Sequence, residues 1–265
     1  MDSSEENEAD GCETGFGFLD SNGETVREIY SYPYDGAAIE ETGRTFSLDS
    51  VTLLAPVEPS KVVAIGLNFK AHAAEFDKEL PKEPMLFLKP STSVIGPGGS
   101  IVYPSHMSYR VDYEAELGVV IGRRTHEVSV EEAADHILGY TCVNDVTARD
   151  LQGRDVQYTR AKSFDTFAPI GPWIETELDP TDVLIESYLN GEVRQSTSSS
   201  DMVFNVFELV SFVSHVMTLL PGDVIATGTP SGIGKMKPGN TIEVRIAGIG
   251  SLVNTVVARP EGADV

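Results

Sequence analysis

The chain has 265 residues, with 41 Asp plus Glu against 19 Lys plus Arg and a formal net charge of −22. A negative field of that strength excludes nucleic-acid phosphates and anionic lipid as partners, because both are bound through clustered Lys and Arg. Hydrophobic residues make up 41%, enough for a sizeable core, so the chain is not a disordered acidic tail.

The opening residues are polar and acidic where a signal peptide would be basic and then apolar. Residues 1–14 are expected to form an acidic disordered tail. From Gly15 the pattern GFGFL, the turn Ser21-Asn22-Gly23 and the run TVREIY read as a hairpin. Residues 15–58 are therefore expected to form a small strand-rich region, closed by the proline-bearing link Pro56 to Pro59. The catalytic domain is expected over 59–260. Short apolar strands dominate it: Val62–Ile65, Met85–Leu88, Leu117–Ile121, Thr141–Val143, Val183–Leu189, Val224–Thr227, Thr241–Ile246 and Val253–Val257. Two helices interrupt them. One opens at the capping box Ser129–Glu132 and is expected to run through Leu138. The other spans Asn205 to Thr218, with Val206, Leu209, Val210, Val213, Val216 and Met217 at helical spacing. Many strands, few helices and no regular β-α alternation predict a β-rich α+β fold, a mixed β-roll rather than a doubly wound sheet.

The two cysteines, Cys12 and Cys142, are too few for a disulfide scaffold, and no apolar run is long enough to span a membrane. The chain is expected to be reduced, soluble and cytoplasmic. Its acid excess over a normal core fits a protein kept soluble in high salt, where self-repulsion is screened.

So acidic a chain produces acid-x-acid pairs about as often as chance dictates, so context must select among them. Glu114-Ala115-Glu116 leads into LGVVIG, a buried-strand pattern. On a strand, residues i and i+2 face one side, about 6.5 Å apart along the chain, so both carboxylates can reach one cation. Burying two like charges is costly without a compensating ion. Asp145, in CVNDVTARD, is a third candidate at the end of an apolar strand. Three carboxylates suit a hard octahedral ion, Mg²⁺ or Mn²⁺. The competing reading pairs Glu114 and Glu116 with Arg110 or Arg123 at a strand end.

Three other groups are chemically capable. His72 and Glu75 lie at i and i+3 in the helical-looking KAHAAEF and can form an oriented general base, or a solvated helix pair. Lys162, one of eight lysines, sits among apolar residues in RAKSFDTFAP and can bind a carboxylate or stabilise developing negative charge. TGTPSGIG, from Thr227 to Gly234, reads as a ligand-cradling loop or as plain turn chemistry. Cys142 reads as a small buried hydrophobe.

Seven stretches occur together and in order: GLNFKAHAAE, PMLFLKPSTSVIGPG, DYEAELGVVIG, GYTCVNDVTARDLQ, AKSFDTFAPIGPW, LNGEVRQ and PGDVIATGTPSGIG. Over residues 60 to 258 the chain resembles the fumarylacetoacetate hydrolase family. The resemblance implies a β-roll, usually a homodimer, holding Mg²⁺ or Mn²⁺ on Glu114, Glu116 and Asp145. It implies catalytic roles for His72, Glu75 and Lys162, and substrate contacts at Arg149, Gln152 and Thr229. Ala71 and Phe69 depart from the Asp and Tyr that many relatives carry there. The implied substrate is a small 2-oxo acid or diacid reacting through an enolate. The expected reaction is C–C hydrolysis of an acylpyruvate or fumarylacetoacetate-type compound. The alternative is isomerisation of a 2-hydroxyhepta-2,4-diene-1,7-dioate, decarboxylation or tautomerisation. A non-catalytic carboxylate-binding module is the reading from a different class.

Overall fold

The computed structural model of the chain describes residues 13–70 and 79–260. It divides after Thr52 into two compact units. The first holds a three-stranded antiparallel sheet of β1 (Phe16–Leu19), β2 (Thr25–Ile29) and β3 (Glu41–Ser47). Its first hairpin turns at Asn22-Gly23, as the sequence predicts. Asn22 Oδ1 accepts from the backbone N–H of Glu24 at 2.8 Å and of Thr25 at 3.0 Å. The side chain stands in for a backbone acceptor, and Gly23 supplies a positive φ of 70° at no Cβ cost.

The second unit is built from three sheets. A seven-stranded sheet runs in the order β5 (Met85–Pro90), β4 (Lys61–Gly66), β15 (Val224–Ala226), β9 (Ala115–Ile121), β10 (Ile137–Asn144), β12 (Ala168–Glu175) and β6 (Val94–Ile95). A five-stranded sheet runs β14 (Glu192–Ser198), β13 (Leu184–Leu189), β17 (Thr241–Ile246), β18 (Gly250–Ala258) and β7 (Ser100–Tyr103). A small sheet joins β11 (Thr147–Ala148), β8 (Val111–Tyr113) and β16 (Gly234–Met236). Parallel pairs β15–β4 and β12–β6 sit among antiparallel ones, so the large sheet is mixed, as the absence of β-α alternation in the sequence implies. Three α-helices occur among the described residues: α1 (Arg149–Arg154), α2 (Thr159–Lys162) and α3 (Val206–Val216). None is long and apolar enough to cross a membrane.

Strand β9 explains why the centre of the sequence is so apolar. Leu117, Val119 and Ile121 pack on one side with Ile185, Val244, Leu252 and the α3 residues Leu209 and Val213. Val120 packs on the other side with Val62, Val143 and Ile170. A strand buried on both faces reads as a continuous apolar run rather than an alternating one. Helix α3 begins where its cap demands: Asn205 Oδ1 accepts from the N–H groups of Phe207 and Glu208, and Glu208 accepts from the N–H of Asn205.

The helix expected from Ser129 through Leu138 does not form. Its capping-box bonds are present, Ser129 N–H to Glu132 at 3.0 Å and Glu132 N–H to Ser129 Oγ at 3.3 Å. Beyond the box the chain makes only a 3-10 turn at Ala133–His136, and Leu138 already belongs to β10. From Ile137 onward the chain is taken up by the ladder against β9, which leaves too few residues to propagate a costly helical nucleus.

Asp223 ties the start of β4 to the approach to β15. Its fully buried carboxylate accepts from Ser60 N–H, Ser60 Oγ, Lys61 N–H and Leu220 N–H, and pairs with the Lys61 ammonium. Asp223→Ala orphans these donors and is expected to destabilise the protein by about 3 kcal/mol. Urea unfolding followed by circular dichroism checks this; a loss below about 1 kcal/mol would show the cluster to be dispensable.

Candidate metal centre and active-site cleft

The acidic cluster is assembled by strand register. Along β9 and β10, Val143 faces Glu116 and Asn144 faces Ala115. Just beyond, Asp145 donates its N–H to the Glu114 carbonyl at 2.9 Å, and Glu114 donates its N–H to Asn144 Oδ1 at 3.0 Å. The end of one apolar strand thus meets the start of another, and Glu114, Glu116 and Asp145 converge with ligand atoms all within 4.8 Å of one another. Glu114 lies in the break between β8 and β9, so the Glu-x-Glu pair straddles a strand junction. All three carboxylates are buried.

Cations neutralise most of this charge. The Lys162 ammonium donates to Glu114 at 2.9 Å and to Asp145 at 2.5 Å. Arg149 pairs with Glu114 and reaches Asp112 at 2.9 Å, while its third guanidinium nitrogen donates to Gln152. Lys89 donates to the other oxygen of Asp145 at 2.5 Å and to the Val146 carbonyl at 3.1 Å. Burial pushes the Glu114 carboxyl up, but Lys162 and Arg149 outweigh it and hold the group below the ordinary carboxylate range. Glu116 has no ion pair among the described residues and accepts only the Gly228 N–H, at 2.8 Å. Burial raises its pKa, and the neighbouring charges of Asp145 and Glu114 raise it further. Burial also disfavours the Lys162 ammonium, yet Asp145 and Glu114 more than compensate and keep it charged.

This donor set fits a hard divalent cation. It offers oxygen ligands alone, from β9, the residue just before it and the residue just after β10, and among the described residues it leaves one carboxylate, Glu116, without a counter-charge. The loop Thr227 to Gly234 contributes to the cage through its backbone. Gly228, at φ 95°, turns its N–H onto Glu116, and a Cβ there would lie 2.8 Å from that of Asn68. Thr229 donates its hydroxyl to the Ala115 carbonyl at 2.9 Å and accepts from Gln195 at 2.7 Å.

Above the cluster opens a cleft. Glu114, Glu116, Arg149, Gln152, Lys162 and Thr229 line it, so the structure gathers six of the residues expected from sequence around one space. Its apolar wall comes from Ile65, Leu67, Met85, Phe87 and Tyr158, and the Lys162 ammonium sits 4.8 Å from the Phe87 ring centroid. His72 and Glu75 lie outside the described residues. The alternative pairing of the glutamates with Arg110 or Arg123 is not what forms: Arg110 bonds Asp112, and Arg149 takes Glu114. Residue pattern alone does not single out Lys89, Gln195 or Tyr158. Gln195 braces the site by accepting from Ala115 N–H at 3.1 Å while donating to Thr229 and the Pro230 carbonyl. A lysine inside the apolar run MLFLKP is the one local hint of Lys89.

Known proteins resemble this chain over most of its length. The family described as fumarylacetoacetate (FAA) hydrolase C-terminal matches residues 61–257, and one described as Rv2993c-like, N-terminal, matches residues 8–56. A protein of Archaeoglobus fulgidus is 54% identical over 227 residues, 86% of this chain and 90% of its own. The oxaloacetate tautomerase YisK of Bacillus subtilis is 43% identical, over 80% of this chain and 75% of its own. The crystal structure of 5-carboxymethyl-2-hydroxymuconate delta-isomerase from Mycobacterium smegmatis superposes with a TM-score of 0.85 at 45% identity, covering 92% of this chain and 94% of that one. With the family match spanning most of the chain and the strand-borne acidic cluster lying inside it, the chain belongs to the fumarylacetoacetate hydrolase family of enzymes.

Proposed function

We propose that the protein catalyses enolisation of a small 2-oxo acid or diacid, as a tautomerase or isomerase, with a divalent ion held by Glu114, Glu116 and Asp145. The observation that carries this reading is the chemistry in the names of two relatives, an oxaloacetate tautomerase and a hydroxymuconate isomerase. Both reactions move a proton and consume no water. C–C hydrolysis, the first expectation from sequence, is the chemistry in the name of a less similar structure, a fumarylacetoacetate hydrolase from Exiguobacterium antarcticum at 37% identity and a TM-score of 0.76.

The residues suit proton transfer. Removing a proton from C3 of a 2-oxo acid breaks a C–H bond and leaves the electron pair on the enolate oxygen. Protonation at that oxygen completes a tautomerisation; protonation at a more distant carbon completes an isomerisation. Lys162, which borders the cleft beside Glu114, is placed to stabilise the oxygen as charge develops there. The Arg149 guanidinium, held by Asp112 and Glu114, presents a fixed positive charge to the substrate carboxylate, with the Gln152 amide beside it. Phe87, Met85 and Tyr158 keep water from the reacting carbons. A bound Mg²⁺ or Mn²⁺ would supply Lewis acidity to the 2-oxo acid. His72, oriented by Glu75, is our assignment for the base that takes the C3 proton.

Conversion of oxaloacetate between keto and enol forms, followed by ultraviolet absorbance with Mg²⁺ or Mn²⁺, is expected to be accelerated. Isomerisation of a hydroxyheptadienedioate is the parallel assay. Cleavage of acetylpyruvate outpacing both would instead restore the hydrolase reading. Lys162→Met is expected to lower kcat by about 100-fold or more while changing KM little, since its stabilisation is realised as charge develops. Equal kcat in that variant would remove Lys162 from the chemistry.

Chelation by EDTA is expected to abolish turnover, and added Mn²⁺ to restore it. Glu116→Gln, which removes the one carboxylate of the cluster that lacks an ion-pair partner among the described residues, is expected to weaken Mn²⁺ binding by about tenfold or more. Undiminished activity after exhaustive chelation would exclude the metal from the mechanism.

A further inference from the structure

We infer that Lys89 is a positioning residue, the standing counter-ion of Asp145, whose task is to free Lys162 for the substrate. The inference rests on the divalent-ion reading above.

Two lysines hold Asp145, one on each oxygen. Lys89 Nζ lies 2.5 Å from Oδ1 and Lys162 Nζ lies 2.5 Å from Oδ2. Their surroundings differ in a way that separates their roles. Lys162 borders the cleft and shares its ammonium with Glu114. Lys89 is fully buried, does not line the cleft, and spends a second N–H on the backbone carbonyl of Val146, the residue after the carboxylate it neutralises. Anchored to both the side chain of Asp145 and the backbone beside it, Lys89 cannot turn toward a ligand without abandoning two bonds. Lys162 can turn, because leaving Asp145 does not strip that carboxylate of its last cation.

The local structure enforces the geometry. Lys89 lies on β5, whose Val62 partner on β4 fixes its register. Alternation puts it on the same face as Phe87, the cleft-wall residue over whose ring the Lys162 ammonium lies. One strand therefore supplies the fixed cation and the surface along which the second cation is held. A buried lysine of this kind is costly to desolvate, and a leucine there would suffice for packing alone. The cluster with Lys89 absent would leave Lys162 as sole counter-ion of Asp145 and one positive charge fewer beside the ion.

The prediction for Lys89→Met and Lys89→Gln is an opposed pair of effects. Mn²⁺ binding, measured by calorimetry or by the electron-spin signal of free Mn²⁺, is expected to tighten by about tenfold or more, because a positive charge beside the ligand set has gone. Turnover of the enolisable acid is expected to fall about 100-fold, in kcat rather than KM, because Lys162 is retained by Asp145. A merely structural lysine would not tighten ion binding when removed. Unchanged or weaker Mn²⁺ binding in the folded variants, or retained kcat, would overturn the proposal. Failure of both variants to fold would also overturn it, by making Lys89 a stability element. If the unaltered protein binds no Mn²⁺ at all, the divalent-ion reading itself has failed.

Discussion

Four carboxylates, Asp112, Glu114, Glu116 and Asp145, are buried within a few residues of one another in space, and this constraint governs the rest of the second unit. Like charges out of water repel strongly and lose their hydration, so each needs a partner built into the fold. Lys89, Lys162 and Arg149 supply three cations, and backbone N–H groups supply the remainder. Glu116 alone lacks a cation among the described residues, which is why the cluster reads as a cage suited to added positive charge rather than as a closed ion-pair network. The apolar β-sheet core gives this arrangement its rigidity. Strands β9 and β10 are walled in on every side, so their ends cannot relax apart to let the charges escape to solvent.

The overall acidity of the chain and the acidity of the site are separate matters. Most of the 41 acids are not part of the cluster. Under the proposed function an anionic substrate would approach through the chain's repelling field, and attraction would have to be generated locally by a bound ion, Lys162 and Arg149. Their burial makes this feasible, because a buried charge is screened less by water and salt than an exposed one.

The triad was legible in the sequence because carboxylates interrupting apolar strands are conspicuous: Glu116 precedes LGVVIG, and Asp145 follows YTCVN. The hairpin at Asn22-Gly23 and the cap at Asn205 were legible because their signals are local, a dipeptide and a four-residue box. The box at Ser129 shows the limit of such signals. Its hydrogen bonds form as written, yet β9 claims the residues after it through a ladder that no local pattern near Ser129 announces. Lys89 and Gln195 were hidden for the same reason. Their partners Asp145 and Ala115 lie 56 and 80 residues away, and only the folded sheet brings them together. The arginine candidates illustrate a related ambiguity, since Arg110 and Arg149 both end near Asp112 and only geometry decides which one also reaches Glu114.

The placement of Phe87 and Lys89 on one face of β5 has an evolutionary consequence. Side-chain exchange at Phe87, or at Met85 and Tyr158 nearby, can remodel the space offered to different substrates while leaving the charge cage intact. Insertion or deletion within the strand cannot, because a slip of one residue would send Lys89 to the opposite face and Leu88 or Pro90 onto Asp145. Diversification of such a scaffold is thereby channelled toward point replacements in the wall, with the length of that strand held fixed.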